Sequence, residues 1–474
     1  MQILQFITYY LLSLIYLLIP SKAFVEGVVG QPASFLPSRA QSQTDKTISS
    51  LIYRGLFRYD NFGTLIPDLA EKWEISNEGL VYTIKIKDGQ YWSDEAKITA
   101  DDLIYTSYKI QNLSGVATDK IDALTVRYTL PNKFSPFLSL LTVGVMQNGS
   151  DEDYAGLYTA SSGPFRVASV KKKGELIKRV ILLDLSGKSI QEIVFRFYPN
   201  TEELTTAAKL GEINAFLLDE KDHLSDGTVQ KDFKLYQYPI QSVYYALFFN
   251  LRSEAYKDLA YREKLAKSLN VFEDIKGFGI PVQGAISRNF YTGDKYKSPV
   301  FDDVAVIDLL GKEVVIDIPD SPFLAEIASR IKDDWQTRTG ASVKLIKHAS
   351  DEIRSKVIEG RSFDVLLFGQ EVGRDPDRYV NWHSTQAEAP GLNLSGFNNV
   401  RADRALEEGR KELDPDIRKT HYDEFQRIVN DQVPAIFLHH PYMNYYVNQK
   451  VKGLGDKYTF TPADRFLDFN NWYF

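Results

Sequence analysis

An α/β fold assembled from several cores, preceded by an apolar leader, is predicted by three features of the sequence. The chain has 474 residues. Single cores stop growing near roughly 250–300 residues, so about two to four units are expected. Strand and helix patterns alternate from Lys312 to Phe368, which implies a parallel sheet covered on both faces. Residues 1–20 carry no charge, and Ile3 to Ile19 are mostly apolar.

Composition narrows the function. Hydrophobic residues at 44% and charged residues at 25% are ordinary for a folded soluble protein. The net charge of −7 provides no basic field, so nucleic acid is not an expected partner. The absence of cysteine excludes disulfides, thiolate metal sites and a cysteine nucleophile. Aromatics reach 13%, which suits broad sheet cores more simply than an aromatic-lined pocket.

Residues 1–23 read as a signal peptide or a membrane anchor. The apolar run is at the lower limit of a spanning helix. Ser21-Lys22-Ala23 offers small residues for cleavage. No Lys or Arg precedes the run, and it is long for a signal peptide, which favours the anchor.

Phe24 to Val29 reads as a strand, and Pro32 and Pro37 in the irregular stretch behind it suit a sheet edge. Tyr82 to Lys87 alternates apolar and polar residues, the mark of a half-buried strand, and Asp88-Gly89 turns it. Thr99 is an N-cap with Asp102 as its capping-box partner, opening a helix at Leu103-Ile104. Ala123 to Leu130 is a further strand, and Asn148 to Asp153 a polar loop. Ile193 to Pro199 is a strand, Thr201 caps the next helix, and Gly211 stops it. Tyr244 to Leu251 is an apolar run of strand length, as in a strand buried on both faces, and Ala260 to Asn270 is helical.

Further on, Lys312–Ile318, Val343–Ile346 and Phe363–Phe368 are strands, with helices at Phe323–Gly340 and Glu352–Glu359 between them. Ligands in such sheets sit beyond the carboxyl ends of strands, so a site is expected after Phe368. Asp414 caps and Pro415 opens a helix with Ile417, His421, Phe425 and Ile428 on one face. His421 there is most simply a core residue. Pro434 to Leu438 is the last strand of this unit.

The order of pieces between Ser49 and Ile104 carries a family resemblance. Leu51-Ile52-Tyr53-Arg54-Gly55-Leu56 is followed by Pro67-Asp68-Leu69-Ala70-Glu71-Lys72-Trp73, Tyr82-Thr83-Ile84, Trp92-Ser93-Asp94 and Thr99-Ala100-Asp101-Asp102. This resembles the solute-binding proteins of peptide ABC importers, family five, of the oligopeptide- and dipeptide-binding type. Gly163-Pro164-Phe165, Tyr261-Arg262 with Ser268-Leu269-Asn270, and Asp375-Pro376-Asp377 match further pieces of the family's order. Glu95 stands where the family has a glycine. The resemblance implies a two-lobed periplasmic-binding-protein fold with an extra small domain. Residues 24–64, 162–270 and 448–474 would form lobe one, 65–161 the small β-rich domain, and 271–447 lobe two. The hinge crossings would lie near Asn270 and Val447. The expected role is not enzymatic: an extracytoplasmic monomer captures a peptide between its lobes and hands it to ABC permease subunits. Many relatives are tethered through a lipid on an N-terminal cysteine; with none here, the apolar leader would hold the protein to the cell membrane.

An enclosed extended peptide needs its backbone groups paired, and strand edges pair them without reading side chains. The expected backbone contacts are Val29, Gly30, Gln31, Pro32, Ala33 and Ser34 on lobe one and Phe368, Gly369, Gln370 and Glu371 on lobe two. A buried peptide ammonium needs a carboxylate. In the family an acid just ahead of the Asp-Pro-Asp loop supplies it, which points to Glu371, with Asp375 second. Trp382 is either a pocket wall or core, and Arg374 reads as a turn-surface residue. No cofactor is expected, because no Walker, Rossmann or Gly-x-Ser-x-Gly signature is present. His439 and His440 are adjacent, so in a strand they point to opposite faces and make a poor metal pair. The same fold with another cargo (nickel chelate, haem or sugar) or a sensor role is the alternative, and a secreted hydrolase the third. Three methionines and no His/Met cluster argue against metal, and missing nucleophile-and-base motifs argue against hydrolysis.

Overall fold

The computed structural model describes residues 23–150, 157–185, 187, 189–218, 227–286 and 309–474. The apolar leader, the end of the Asn148–Asp153 loop and His223 lie outside the described residues.

Among the described residues twelve strands form one sheet that runs through both lobes. In lobe one, Ala23–Val29 lies between Glu192–Tyr198 and Ala215–Leu218, parallel to both. The hairpin Phe165–Lys173 and Leu176–Asp184 extends that sheet. In lobe two, Glu313–Pro319 pairs in parallel with Ser342–His348 and Val365–Glu371, as the alternation predicts. Val243–Phe249 joins them antiparallel. The strand Ala435–Asn448 belongs to both lobes. Its first half pairs with Val243–Phe249, and its second half with Ala215–Leu218 and Phe233–Pro239. Pro441 sits where it changes lobe; it has no N–H for the ladder, and its carbonyl accepts the Ile240 N–H at 2.8 Å.

Three expectations are corrected here. Val243–Phe249 and the helix Leu259–Lys267 pack in lobe two, where Leu247, Leu265 and Leu269 share a core with Ile316 and Trp335. The crossings therefore fall at residues 240–242 and at Pro441, not near Asn270 and Val447. The last strand does not stop at Leu438 but continues to Asn448. An apolar run suits either sheet, and its pairing with Val365–Glu371 decides which one takes it.

The small domain is a four-stranded sheet of Ala70–Ser76, Val81–Ile86, Thr125–Thr129 and Ala117–Lys120, with helix Ala100–Lys109 against it. The capping box forms, with Asp102 accepting the Thr99 N–H at 2.8 Å. Glu95 has φ +71°, a conformation glycine favours, so the backbone turn survives the change of residue. This domain shares one continuous core with lobe one.

The chain end folds back onto lobe one. Trp472 and Phe469 pack on Phe24, and Arg465 reaches buried Glu26 at 2.5 Å. Asn200, not Thr201, caps the helix Thr201–Lys209 by accepting the Glu203 N–H at 2.9 Å. On the helix Pro415–Gln432 the buried face carries Arg418, Tyr422, Phe425 and Val429. Ile417 is exposed and His421 only half-buried, so neither is core.

Candidate functional site

Strand register aims both expected ligand edges at the crossing between the lobes. Glu371 stands opposite Val243, the first strand residue after the crossing. In lobe one Gly27 is level with Phe216, and Leu218 with Asn444, so Ala23–Val29 runs, two strands over, toward the same end of the sheet as Pro441.

The lobe-two edge is open. Glu313–Pro319 pairs with its neighbour only at Val365 and Leu366. Beyond that, Phe368–Glu371 pairs with Val243–Ala246 on one side and with no strand on the other, among the described residues. Its side chains are committed to the lobe. The Gln370 amide accepts the Tyr244 hydroxyl and donates to the Leu392 carbonyl at 2.8 Å. Gly369 has no space for a Cβ, which would meet the Tyr245 ring at 2.8 Å. Glu371 differs: it is exposed, at the strand's last residue.

The lobe-one stretch is partly used internally. The Gly30 N–H donates to the Tyr198 carbonyl at 2.9 Å, and the Ala33 N–H to Asp45 at 2.9 Å. The Gln31 side chain pairs with the Ile177 N–H at 2.8 Å and its carbonyl at 3.1 Å. Pro32 and Ser34 are buried, while Val29, Gln31 and Ala33 are exposed.

Two candidates are removed by their surroundings. Asp375 is held by Arg418 through both oxygens, at 2.9 and 2.6 Å, so its charge is already compensated. Trp382 is buried in lobe two among Phe248, Phe397 and Phe437, with its indole N–H donating to the Tyr244 hydroxyl at 3.1 Å, so it packs as core. Arg374 is not a surface turn residue either. It leaves lobe two to pair with Asp464 of lobe one.

The sequence from residue 64 to 389 matches the model for bacterial extracellular solute-binding proteins, family 5, middle region. The chain belongs to that family. This solute-binding protein is 23% identical to the dipeptide-binding protein of Escherichia coli (strain K12), with 92% of each chain covered. Its fold is that of the substrate-binding protein CtaP of Listeria monocytogenes, at a TM-score of 0.80, 21% identity and coverage of 95% and 99% of the two chains. NikZ of Campylobacter jejuni, solved with Ni(L-His), superposes with a TM-score of 0.73 at 21% identity, covering 96% of this chain and all of that one. The family places the protein among extracellular solute-binding proteins of bacteria.

Among the described residues no group of three or more His, Cys, Asp or Glu is placed to hold a metal ion. His439 and His440 are both buried, and the His440 Nδ1 is 2.7 Å from the Val243 carbonyl. Residues that sequence reasoning missed are Arg410, which holds Asp377 at 2.9 Å, and Arg418. Burial pushes the Asp377 carboxyl up, while Arg410 pulls it down. The only sequence signal for these pairs was two acids in the Asp375–Asp377 loop that needed partners.

Proposed function

We propose that the protein captures short peptides between its lobes by main-chain pairing and delivers them to an ABC permease. The observation that carries this reading is the edge of Phe368–Glu371, which no strand among the described residues pairs and where only the Asn381 amide reaches the Glu371 carbonyl, at 3.4 Å, at the carboxyl end of its strand and beside the crossing. An extended guest added there would continue the sheet, as β-augmentation does elsewhere. In this reading the exposed Val29, Gln31 and Ala33 are the lobe-one side of the guest's site. The exposed Glu371 carboxylate takes the peptide ammonium. The name of the E. coli relative, alike over 92% of its length, supports a peptide cargo. The apolar run Ile3–Ile19 supports tethering at the outer face of the membrane, and the protein acts as a monomer.

Native mass spectrometry of protein purified from its own host tests the cargo. A co-purifying mass that fragments as a peptide is expected. A metal–amino-acid chelate or a sugar at that position would replace the peptide, and a peptide cleaved on incubation would make the protein a hydrolase.

A further inference from the structure

The loop after the ligand strand holds the two halves of the molecule together. The guanidinium of Arg374, from lobe two, lies between the rings of Tyr59 and Phe460, at 4.6 and 4.8 Å from their centroids. Its Nη2 donates to Asp464, whose carboxylate is fixed beforehand by the N–H groups of Phe460 and Thr461, each at 2.8 Å. Tyr59 belongs to the strand Phe57–Tyr59 of lobe one, and Asp464 to the C-terminal segment packed on that lobe. So one side chain of lobe two is gripped by Tyr59 and Asp464 of lobe one, with Phe460, itself packed in lobe two's core beside the crossing, on its other face.

A second arginine repeats the arrangement against the small domain. Arg410 of lobe two lies between Phe134 of the small domain at 5.2 Å and Tyr379 of its own lobe at 4.2 Å, and is paired to Asp377. Its carbonyl accepts the Ser135 N–H of the small domain at 2.8 Å. Arg418, bound to Asp375, fixes the loop from below. Stacked, partly desolvated guanidinium groups gain from ring faces as well as from their carboxylates.

We propose that Arg374 and Arg410 are positioning residues for closure: the loop 374–379 is a latch that holds lobe two against lobe one and the small domain, and the cleft opens by withdrawing Arg374 from Tyr59 and Asp464 and Arg410 from Phe134. The latch adjoins Glu371 in the chain, so closing it also sets the ligand strand in place. Its action concerns lobe closure and does not depend on which solute the cleft takes.

The absence of native cysteine allows a direct test in the full chain. Cysteines replacing exposed Lys72 of the small domain and exposed Lys344 of lobe two would carry spin labels for distance measurement without ligand. The parent should give one narrow distance. Arg374→Met with Phe134→Ala should move at least half of the population to a longer distance, and each single change less. Lys133→Ala, whose ion pair with Glu78 stays inside the small domain, should leave the parent distance unchanged. Arg374→Lys, which keeps the charge but loses the planar stacking, should open the molecule partially. Melting curves confirm that the variants are folded. If Phe134→Ala does not fold, Arg374→Met with Tyr59→Leu replaces it. A folded double variant with the parent's distance distribution, or an equal opening by Lys133→Ala, overturns the latch.

Discussion

Arg418 grips both carboxylate oxygens of Asp375 at 2.9 and 2.6 Å, with the two side chains 8% and 17% exposed. Breaking such a pair leaves a charge that burial does not tolerate, at a cost of about 3–5 kcal/mol. Arg418→Met is expected to lower unfolding stability by about 3 kcal/mol in urea titrations. Adding Asp375→Asn should restore part of that loss, because the stranded charge goes with it. Asp375→Asn in the parent would lower stability first and affinity only as a consequence. A loss of affinity without any loss of stability would return Asp375 to the ligand site.

Glu371 has the opposite character. It ends its strand, is exposed, and is opposite Val243 beside the crossing. Glu371→Ala should leave the melting temperature unchanged. Once a peptide encloses the pair, truncating one partner of a desolvated charge contact costs about 2–5 kcal/mol, so affinity for peptides with a free amino terminus should fall about 30-fold or more. Calorimetry with free and N-acetylated forms of one peptide separates the two cases. Equal affinity of parent and variant for the free form would remove Glu371 from the site.

Local chemistry was readable from the sequence, and long-range choices were not. Thr99 with Asp102, Asp414 with Pro415, and Gly340 at φ +71° ending its helix all form as the residues dictate, because each motif closes within one turn. The lobe boundary was misplaced by about one strand and one helix, since Val243–Phe249 is apolar enough for either sheet and pairing alone assigns it. The face of Pro415–Gln432 was misjudged for another reason. Hydropathy selects Ile417 over Arg418, but Asp375 across the contact makes the arginine the buried residue. At the site, strand order points only to the stretch after Phe368, whereas the arginine clasps depend on rings brought from distant segments.

Asp274 predicts a loss of stability toward alkaline pH. It is buried on the short helix Val271–Asp274 beside Asp334, and desolvation followed by that neighbour pushes its carboxyl from 3.8 up to about 7. The folded state thus keeps a proton that the unfolded chain releases above 3.8. Stability from this group is fully present below that value and declines as pH rises through about 7. Asp274→Asn should match the parent near the lower end of this window and melt at a higher temperature above its upper end. Parallel melting curves for the two proteins across the window would refute the assignment.

His439 sets the acid limb instead. It lies in the crossing strand, fully buried, with its ring stacked on Tyr245 at 5.1 Å and edge-on to Phe323. Among the described residues neither ring nitrogen has a hydrogen-bond partner. Burial first, and the nearby His440 second, hold its pKa down at about 3, against 6.5 when free. Between those values the unfolded chain binds a proton that the folded protein refuses, so stability present above 6.5 is lost progressively as pH falls toward 3. His439→Phe keeps the aromatic stacking and removes the titration. It should leave stability at neutral pH little changed and shift the acid unfolding midpoint to lower pH. An unchanged midpoint would mean that His439 is solvated or paired in solution. A raised one would mean that the ring nitrogens contribute to the native strand crossing in a way that phenylalanine cannot replace.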